Sequence, residues 1–132
     1  MKADHKIPVR NGDLECIIHV NRRPGAIKFI RTLSEIYEIV IFTASLAIYA
    51  NPLMDDIDPE RCCVYRLFRN SCSVYNGCFT KDLSRMNRQM ENIMIVDNSP
   101  TAYMLQPENA IPITTWQGNP NDTELLDLIP FF

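Results

Sequence analysis

Glu38-Ile39-Val40-Ile41-Phe42-Thr43-Ala44-Ser45 decides the fold. After Glu38 the run shows no polar alternation, the pattern of a short strand covered on both faces, as in a parallel sheet. It stops at Thr43. Ser45 stands where it can cap a helix in which Leu46, Ala47, Tyr49 and Ala50 precede Asn51-Pro52, and Asp58-Pro59 closes the segment. The same β-turn-α grammar recurs further on. Ile93-Met94-Ile95-Val96 is a second uniform run, it ends at Asp97-Asn98, and Ser99-Pro100 reads as a cap followed by a first helical residue. A third short run covers residues 110–114, and Asn121-Asp122-Thr123-Glu124 opens a last helix carrying Leu125, Leu128 and Ile129.

Working outward from these units, residues 5–10 and 13–20 read as two strands joined at Asn11-Gly12, a dipeptide that tolerates left-handed dihedrals. Arg23-Pro24-Gly25 then opens a helix in which Ile27, Ile30, Leu33 and Tyr37 recur at helical spacing. Between the two β-turn-α units, residues 62–80 are rich in aromatic and β-branched types and break at Asn76-Gly77, so they are expected to form an inserted β-hairpin. The fold class is α/β, built on a parallel sheet with flanking helices. In such a sheet ligands bind beyond the carboxyl ends of the strands, which is where Thr43 and Asp97-Asn98 fall. The insert would make one wall.

A chain of 132 residues is one ordinary domain, taken here as residues 1–132. With 46% hydrophobic and 22% charged residues, it belongs with globular proteins rather than disordered or fibrous ones. A formal charge of −3 gives no overall reason to expect nucleic acid as a partner. The longest apolar run, residues 39–50, falls well short of the ~20 residues a membrane helix needs, so no membrane partner is expected. The opening Met1-Lys2-Ala3-Asp4-His5-Lys6 leads into no apolar signal region, and a reducing compartment is the expectation. The five cysteines (Cys16, Cys62, Cys63, Cys72 and Cys78) include no C-x-x-C pair and read as buried free thiols rather than a disulfide framework or zinc site.

Asp97 and Asn98 offer adjacent oxygen ligands of the kind a hard cation such as Mg²⁺ takes, and they read equally well as a turn and helix cap. Thr43 could present its hydroxyl and the amides after it to an anion, although taken alone it reads as an ordinary turn residue. Lys81, flanked by Arg66, Arg69, Arg85 and Arg88, is a local excess of positive charge in an acidic chain; such clusters are more often a solvated face. The four glycines are isolated, so no glycine-rich phosphate loop is present, and the two histidines leave no Ser-His-Asp or Cys-His set to read. Trp116, Tyr103 and Phe68 are core aromatics or a peptide-holding surface.

Taken together, Ile41-Phe42-Thr43-Ala44-Ser45, Arg66-Leu67-Phe68-Arg69, Lys81-Asp82-Leu83-Ser84, Ile95-Val96-Asp97-Asn98-Ser99-Pro100 and Asp122-Thr123-Glu124-Leu125 carry a resemblance. Over essentially its whole length the sequence resembles the FCP/SCP-type domain, the small C-terminal-domain phosphatases of the haloacid dehalogenase superfamily. The resemblance implies a haloacid dehalogenase-like parallel sheet and a Mg²⁺-dependent phosphatase. Its substrates would be phosphoserine or phosphothreonine in proteins, often the tail of RNA polymerase II, in the nucleus or the cytoplasm. It implies that Thr43 hydrogen-bonds the transferring phosphoryl group, that Lys81 neutralises its charge, that Asp97 and Asn98 hold Mg²⁺, and that Arg69 is a substrate-side arginine on the insert. Such a set suits phosphoryl transfer, which is mostly positioning and electrostatic stabilisation.

One motif of that family has no counterpart in these residues. Its D-x-D-x-[TV] element, at the end of the first buried strand, supplies the aspartate nucleophile and the acid/base aspartate. The D-x-D that is present, Asp56-Ile57-Asp58, follows a helix and runs into Pro59. Without that carboxylate no aspartyl-phosphate forms, and Asp97 and Asn98 alone would hold Mg²⁺ weakly. The chain is therefore expected to be a shortened, inactive piece of a phosphatase. Its alternatives are a pseudophosphatase that recognises phosphopeptides through Thr43, Arg69 and Lys81, and a scaffold module. The first-motif strand lies centrally in the family's sheet, so two unpaired edges are expected to face one another. The slot could be closed by direct pairing of the flanking strands, by residues 16–20, by a strand of another molecule through self-association, or not at all in an incompletely folded product.

Overall fold

The computed structural model describes residues 5–132; of the N-terminal stretch read for a targeting signal, Met1 to Asp4 lie outside the described residues. The first hairpin pairs β1 (His5–Asn11) antiparallel with β2 (Leu14–Val20), and it tucks Val9 and Val20 inward. Its loop is Gly12-Asp13 rather than Asn11-Gly12. Asn11 stays in the ladder opposite Leu14, and the left-handed φ of 64° falls on Gly12 at the first loop position. A single positive φ at that position is a turn that needs glycine only there.

Helix α1 (Ala26–Leu33) turns its Leu33 into the core and stops before Tyr37, four residues sooner than the apolar spacing suggests. Gly25 leads into it at φ 81°, and a Cβ at Gly25 would stand 2.6 Å from the Leu126 side chain, so the left-handed backbone and the close approach of Leu126 both favour glycine. Strand β3 (Val40–Phe42) follows, then α2 (Ala47–Ile57), then β4 (Tyr65–Leu67), which returns parallel to β3 with Phe42 opposite Leu67. Ser45 does not cap α2. Leu46 holds the cap position without a side-chain bond, while the Ser45 amide is drawn back to the Thr43 hydroxyl. Asp58 closes the helix. At 3% exposure its carboxylate accepts the Cys62 and Cys63 amides at 2.8 and 2.9 Å, which satisfies a buried charge with two donors.

β5 (Ser73–Tyr75) and β6 (Cys78–Thr80) make a tight hairpin, and both loop residues, Asn76 and Gly77, take positive φ, as that turn demands. The segment expected as one insert over residues 62–80 therefore divides. Tyr65–Leu67 joins the parallel pair, and residues 73–80 form the hairpin.

β7 (Ile95–Asp97) and β8 (Ala110–Pro112) form a second parallel pair. The helix expected from Pro100 does not form. Residues 100–105 are turns closed by bonds such as Ala102 N–H to the Ser99 carbonyl, because Pro107 follows too soon for a stable helical nucleus and holds Gln106 out of helical space. Helix α3 (Glu124–Leu128) begins after Thr123, whose hydroxyl donates to Asp127 instead of capping the first turn. Phe132 then sets its ring edge against Phe29 and Tyr37, at 6.0 and 5.9 Å.

The parallel pairs remain separate. β3 is not laddered to β7, and residues 16–20 lie in β2, paired with β1, so neither of these two ways of closing the central slot is taken. The strands are correspondingly less covered than their uniform sequences suggest: Val40, Ile41 and Phe42 are half-buried, and only Ile95 of β7 is buried. The cysteines are free thiols but not a buried set, since Cys16 and Cys78 are exposed.

Candidate functional site

Thr43 leaves β3 with its amide still bonded to the Leu67 carbonyl at 2.9 Å. Its hydroxyl accepts the Ser45 amide at 3.1 Å, folding the chain into a short turn at the carboxyl end of the strand. Asp97 ends β7 in the same manner, one carboxylate oxygen accepting the Ser99 amide at 2.9 Å. Lys81 bridges the two ends. Its ammonium lies 2.6 Å from the other oxygen of Asp97 and 5.7 Å from the centre of the Phe42 ring, so one side chain spans from β7 to β3 across the open slot. Both partners of the ion pair are nearly covered, at 13% and 10% exposure. The backbone of Lys81 is fixed as well, its amide bonding the Ala102 carbonyl at 2.9 Å beside the fully buried Thr80, whose hydroxyl reaches the same oxygen at 3.1 Å.

Arg69 approaches from the β3 side. Its guanidinium donates to the Ala44 carbonyl at 2.8 Å and covers the Phe79 ring of the hairpin at 5.2 Å, while its amide bonds the Ser45 carbonyl. The turn after Thr43, the hairpin and Arg69 are thus held as one wall. Cys72, one turn of 3-10 helix beyond Arg69, points its thiol at the Thr43 carbonyl at 3.9 Å. Burial pushes this thiol above its usual range, and the charges of Lys81 and Arg69 oppose that rise without cancelling it. From the sequence Cys72 reads only as a free thiol, and Phe42 and Phe79 carry no role at the site. The one available signal was the three-residue spacing from Arg69 to Cys72, which a single helical turn converts to adjacency.

The remaining basic residues disperse. Arg66 turns to Asp55 on α2 at 2.9 Å, Arg88 to Glu38 at 2.9 Å and Arg85 to the Ser73 hydroxyl at 3.3 Å. Only Lys81 and Arg69 of the positive cluster belong to this place. Asn98 is exposed and gives its amide to the Thr115 hydroxyl at 2.9 Å, and Trp116 donates to the Asn119 carbonyl in its own loop. Thr114, next to Thr115, is tied through its carbonyl and hydroxyl to Arg23, which also grips Asp122 and Glu124.

The donor set does not by itself fit Mg²⁺. Asp97 is one carboxylate, already carrying an ammonium and an amide, Asn98 adds one amide oxygen, and among the described residues no three His, Cys, Asp or Glu side chains gather into a metal site. What the site does bring to the ends of β3 and β7 is the Lys81 ammonium on Asp97 and Phe42, the Arg69 guanidinium on the Ala44 carbonyl, and the Thr43 hydroxyl in its turn.

Residues 1–132 match the sequence family described as NLI interacting factor-like phosphatase. The chain is 46% identical over 132 residues to carboxy-terminal domain RNA polymerase II polypeptide A small phosphatase 2 of Homo sapiens, the match covering 98% of this chain and 48% of that protein. It is 48% identical to a probable C-terminal domain small phosphatase of Dictyostelium discoideum, covering 93% of this chain and 43% of the relative. The chain thus spans about half or less of the curated relatives it matches. Among solved structures it is similar to the fission yeast RNA polymerase II CTD phosphatase Fcp1 bound to beryllium fluoride. That match has a TM-score of 0.72 at 20% identity, over 86% of this chain and 31% of the other, and is a likeness of fold. The α/β, haloacid dehalogenase-like fold expected from the sequence is the fold found.

Proposed function

The chain belongs to the NLI interacting factor-like phosphatase family, and on that premise we propose that its strand-end cradle binds the phosphoryl group of a phosphoserine or phosphothreonine in a protein. The observation that carries the reading is the placement of Lys81, whose ammonium sits between the end of β3 and the Asp97 carboxylate at the end of β7. A dianionic ester entering the cradle meets that ammonium, the Arg69 guanidinium and the Thr43 turn. Charge-assisted bonds to two cations are the strong kind. Phe79 and the other large apolar side chains exposed on the hairpin, Val74 and Tyr75, give the flanking peptide an apolar surface. The substrate-side roles of Thr43, Arg69 and Lys81 are part of this proposal.

The proposal extends to chemistry. Among the described residues no carboxylate at the cradle is free to attack phosphorus, Asp97 being engaged by Lys81 and Ser99, and the proposal is that these residues bind the ester without turnover. Asp97 and Asn98 would give Mg²⁺ only a weak hold, and no step is assigned to it. The proposal puts the chain in the nucleus or cytoplasm, and what supports it is the relation to small phosphatases named for RNA polymerase II.

The test is a titration of the chain with a phosphoserine peptide and its unphosphorylated counterpart, alongside an aryl phosphate assay with Mg²⁺. Binding selective for the phosphopeptide, weakened about tenfold by Lys81→Ala or Arg69→Ala, is the expected result. Equal affinity for both peptides would defeat the binding reading. Turnover that survives purification and is lost with Asp97→Asn would defeat the reading of the chain as a binding module.

A further inference from the structure

We infer that β2 is a docking edge for a second copy of this chain, the two strands pairing antiparallel about a two-fold axis through Ile17. The two strands of the first hairpin treat their outer edges differently. β1 carries Lys6, Pro8 and Arg10, a missing donor flanked by two cations, and α2 packs against it. These are the devices by which a sheet edge refuses further strands. β2 reads Leu14-Glu15-Cys16-Ile17-Ile18-His19-Val20 and holds no proline, lysine or arginine. Among the described residues its ladder partner is β1 alone. Leu14 and Ile17 stand 76% and 59% exposed, so the edge offers apolar side chains along with its unladdered backbone groups.

The sequence of this edge complements itself. With the axis at Ile17, that residue meets its own copy, Glu15 lies opposite His19 of the second chain, and His19 opposite Glu15. Both are exposed. On that face two polar pairs of opposite tendency bracket an isoleucine contact, an arrangement cross-strand packing favours. On the other face Cys16 meets Ile18 and Leu14 meets Val20. Moving the axis to Cys16 sets Glu15 against Ile17, and moving it to Ile18 sets His19 against Ile17, so one register alone matches polar to polar and apolar to apolar. A seven-residue edge is a small interface, and the dimer is therefore weak and concentration-dependent. It involves no residue of the phosphate cradle, so either reading stands if the other fails.

Sedimentation velocity on the full chain, from dilute to concentrated solution, is the experiment. The expected result is a sedimentation coefficient that rises with concentration and no longer does so in Ile17→Lys. Glu15→His should weaken association about fivefold, and Glu15→His combined with His19→Glu should restore it by exchanging the two partners. A parent chain that stays monomeric throughout, an Ile17→Lys variant that associates like the parent, or an exchange variant that is not restored would overturn the proposal. Far-UV circular dichroism at the dilute end checks that each variant is folded. The Glu15 and His19 exchanges, on exposed positions, decide the matter if Ile17→Lys is not folded.

Discussion

The carboxyl ends of β3 and β7 solve one local problem with the same geometry and are secured by opposite means. At each, a strand-ending side-chain oxygen accepts the amide two residues on, from Ser45 to Thr43 at 3.1 Å and from Ser99 to Asp97 at 2.9 Å. At β3 the oxygen is a neutral hydroxyl, and the backbone stays in the ladder through the Thr43 amide and the Leu67 carbonyl. At β7 it belongs to a carboxylate whose charge is met from outside its own segment by Lys81. The β3 turn spreads its hold over several bonds, from the Thr43 hydroxyl, the Leu67 carbonyl and Arg69. The β7 turn depends on a residue sixteen positions earlier, and its substitutions should cost more.

Lys81→Ala is the strongest way to break this difference. It leaves a carboxylate that is 10% exposed without its cation, and the expected destabilisation is about 3 kcal/mol, read from urea unfolding. Asp97→Asn should cost less, about 2 kcal/mol by the same measurement, because the amide oxygen can still accept from Ser99 and the freed ammonium keeps the Phe42 ring. If the two variants are equally destabilised, the asymmetry assigned to the ion pair is wrong.

Acid sharpens the contrast from the β3 side. Burial alone would raise the Asp58 carboxyl, but the amides of Cys63 and Cys62 outweigh it and hold the group below its ordinary value. A carboxyl lowered in the folded state contributes stability that is complete above its unfolded value of about 4 and is lost as pH falls through the lower folded value. Stability measured by urea midpoint should therefore decline below about pH 4, and Asp58→Asn should flatten part of that decline while lowering stability near neutrality. An unchanged acid limb in Asp58→Asn would remove Asp58 from the account. The neighbouring Cys63 thiol, pushed up to about 12 by burial and by Asp58, stays protonated throughout and adds nothing to the slope.

The sequence disclosed what short-range chemistry decides. Uniform runs marked β3, β7 and β8, Asn76-Gly77 marked its hairpin, and Thr43 and Asp97 fell at strand ends because a strand stops where its apolar run stops. It did not disclose what depends on partners distant along the chain. Tyr65–Leu67 contains an arginine and an exposed tyrosine, so nothing local marks it as the parallel neighbour of β3. The stretch after Pro100 shows a helix start without revealing that Pro107 ends it before a turn's bonds repay nucleation. The five cations near the insert look alike in sequence. Only the fold shows that Arg66, Arg85 and Arg88 have partners elsewhere, leaving Lys81 and Arg69 to the cradle. The resemblance pointed to a slot between β3 and β7 but left direct pairing of the two strands open; among the described residues no such ladder forms.

Thr43→Val is the smallest test and the most specific to the comparison. The side chain keeps its shape and loses its hydroxyl, so the Ser45 amide at a half-buried turn has no acceptor there. The ladder bond from the Thr43 amide to Leu67 is untouched because it needs no side chain. A cost of about 1 kcal/mol follows, the net worth of one neutral hydrogen bond, and Thr43→Ser should recover most of it. Arg69 supplies an internal control, since its amide and guanidinium hold the Ser45 and Ala44 carbonyls from the other side of the same turn. With those two bonds in place the loosened turn should keep its position, and Thr43→Val should lower phosphopeptide affinity by less than Lys81→Ala does. A loss of stability as large as that of Lys81→Ala would mean that the Thr43 hydroxyl carries more of the β3 turn than one neutral hydrogen bond.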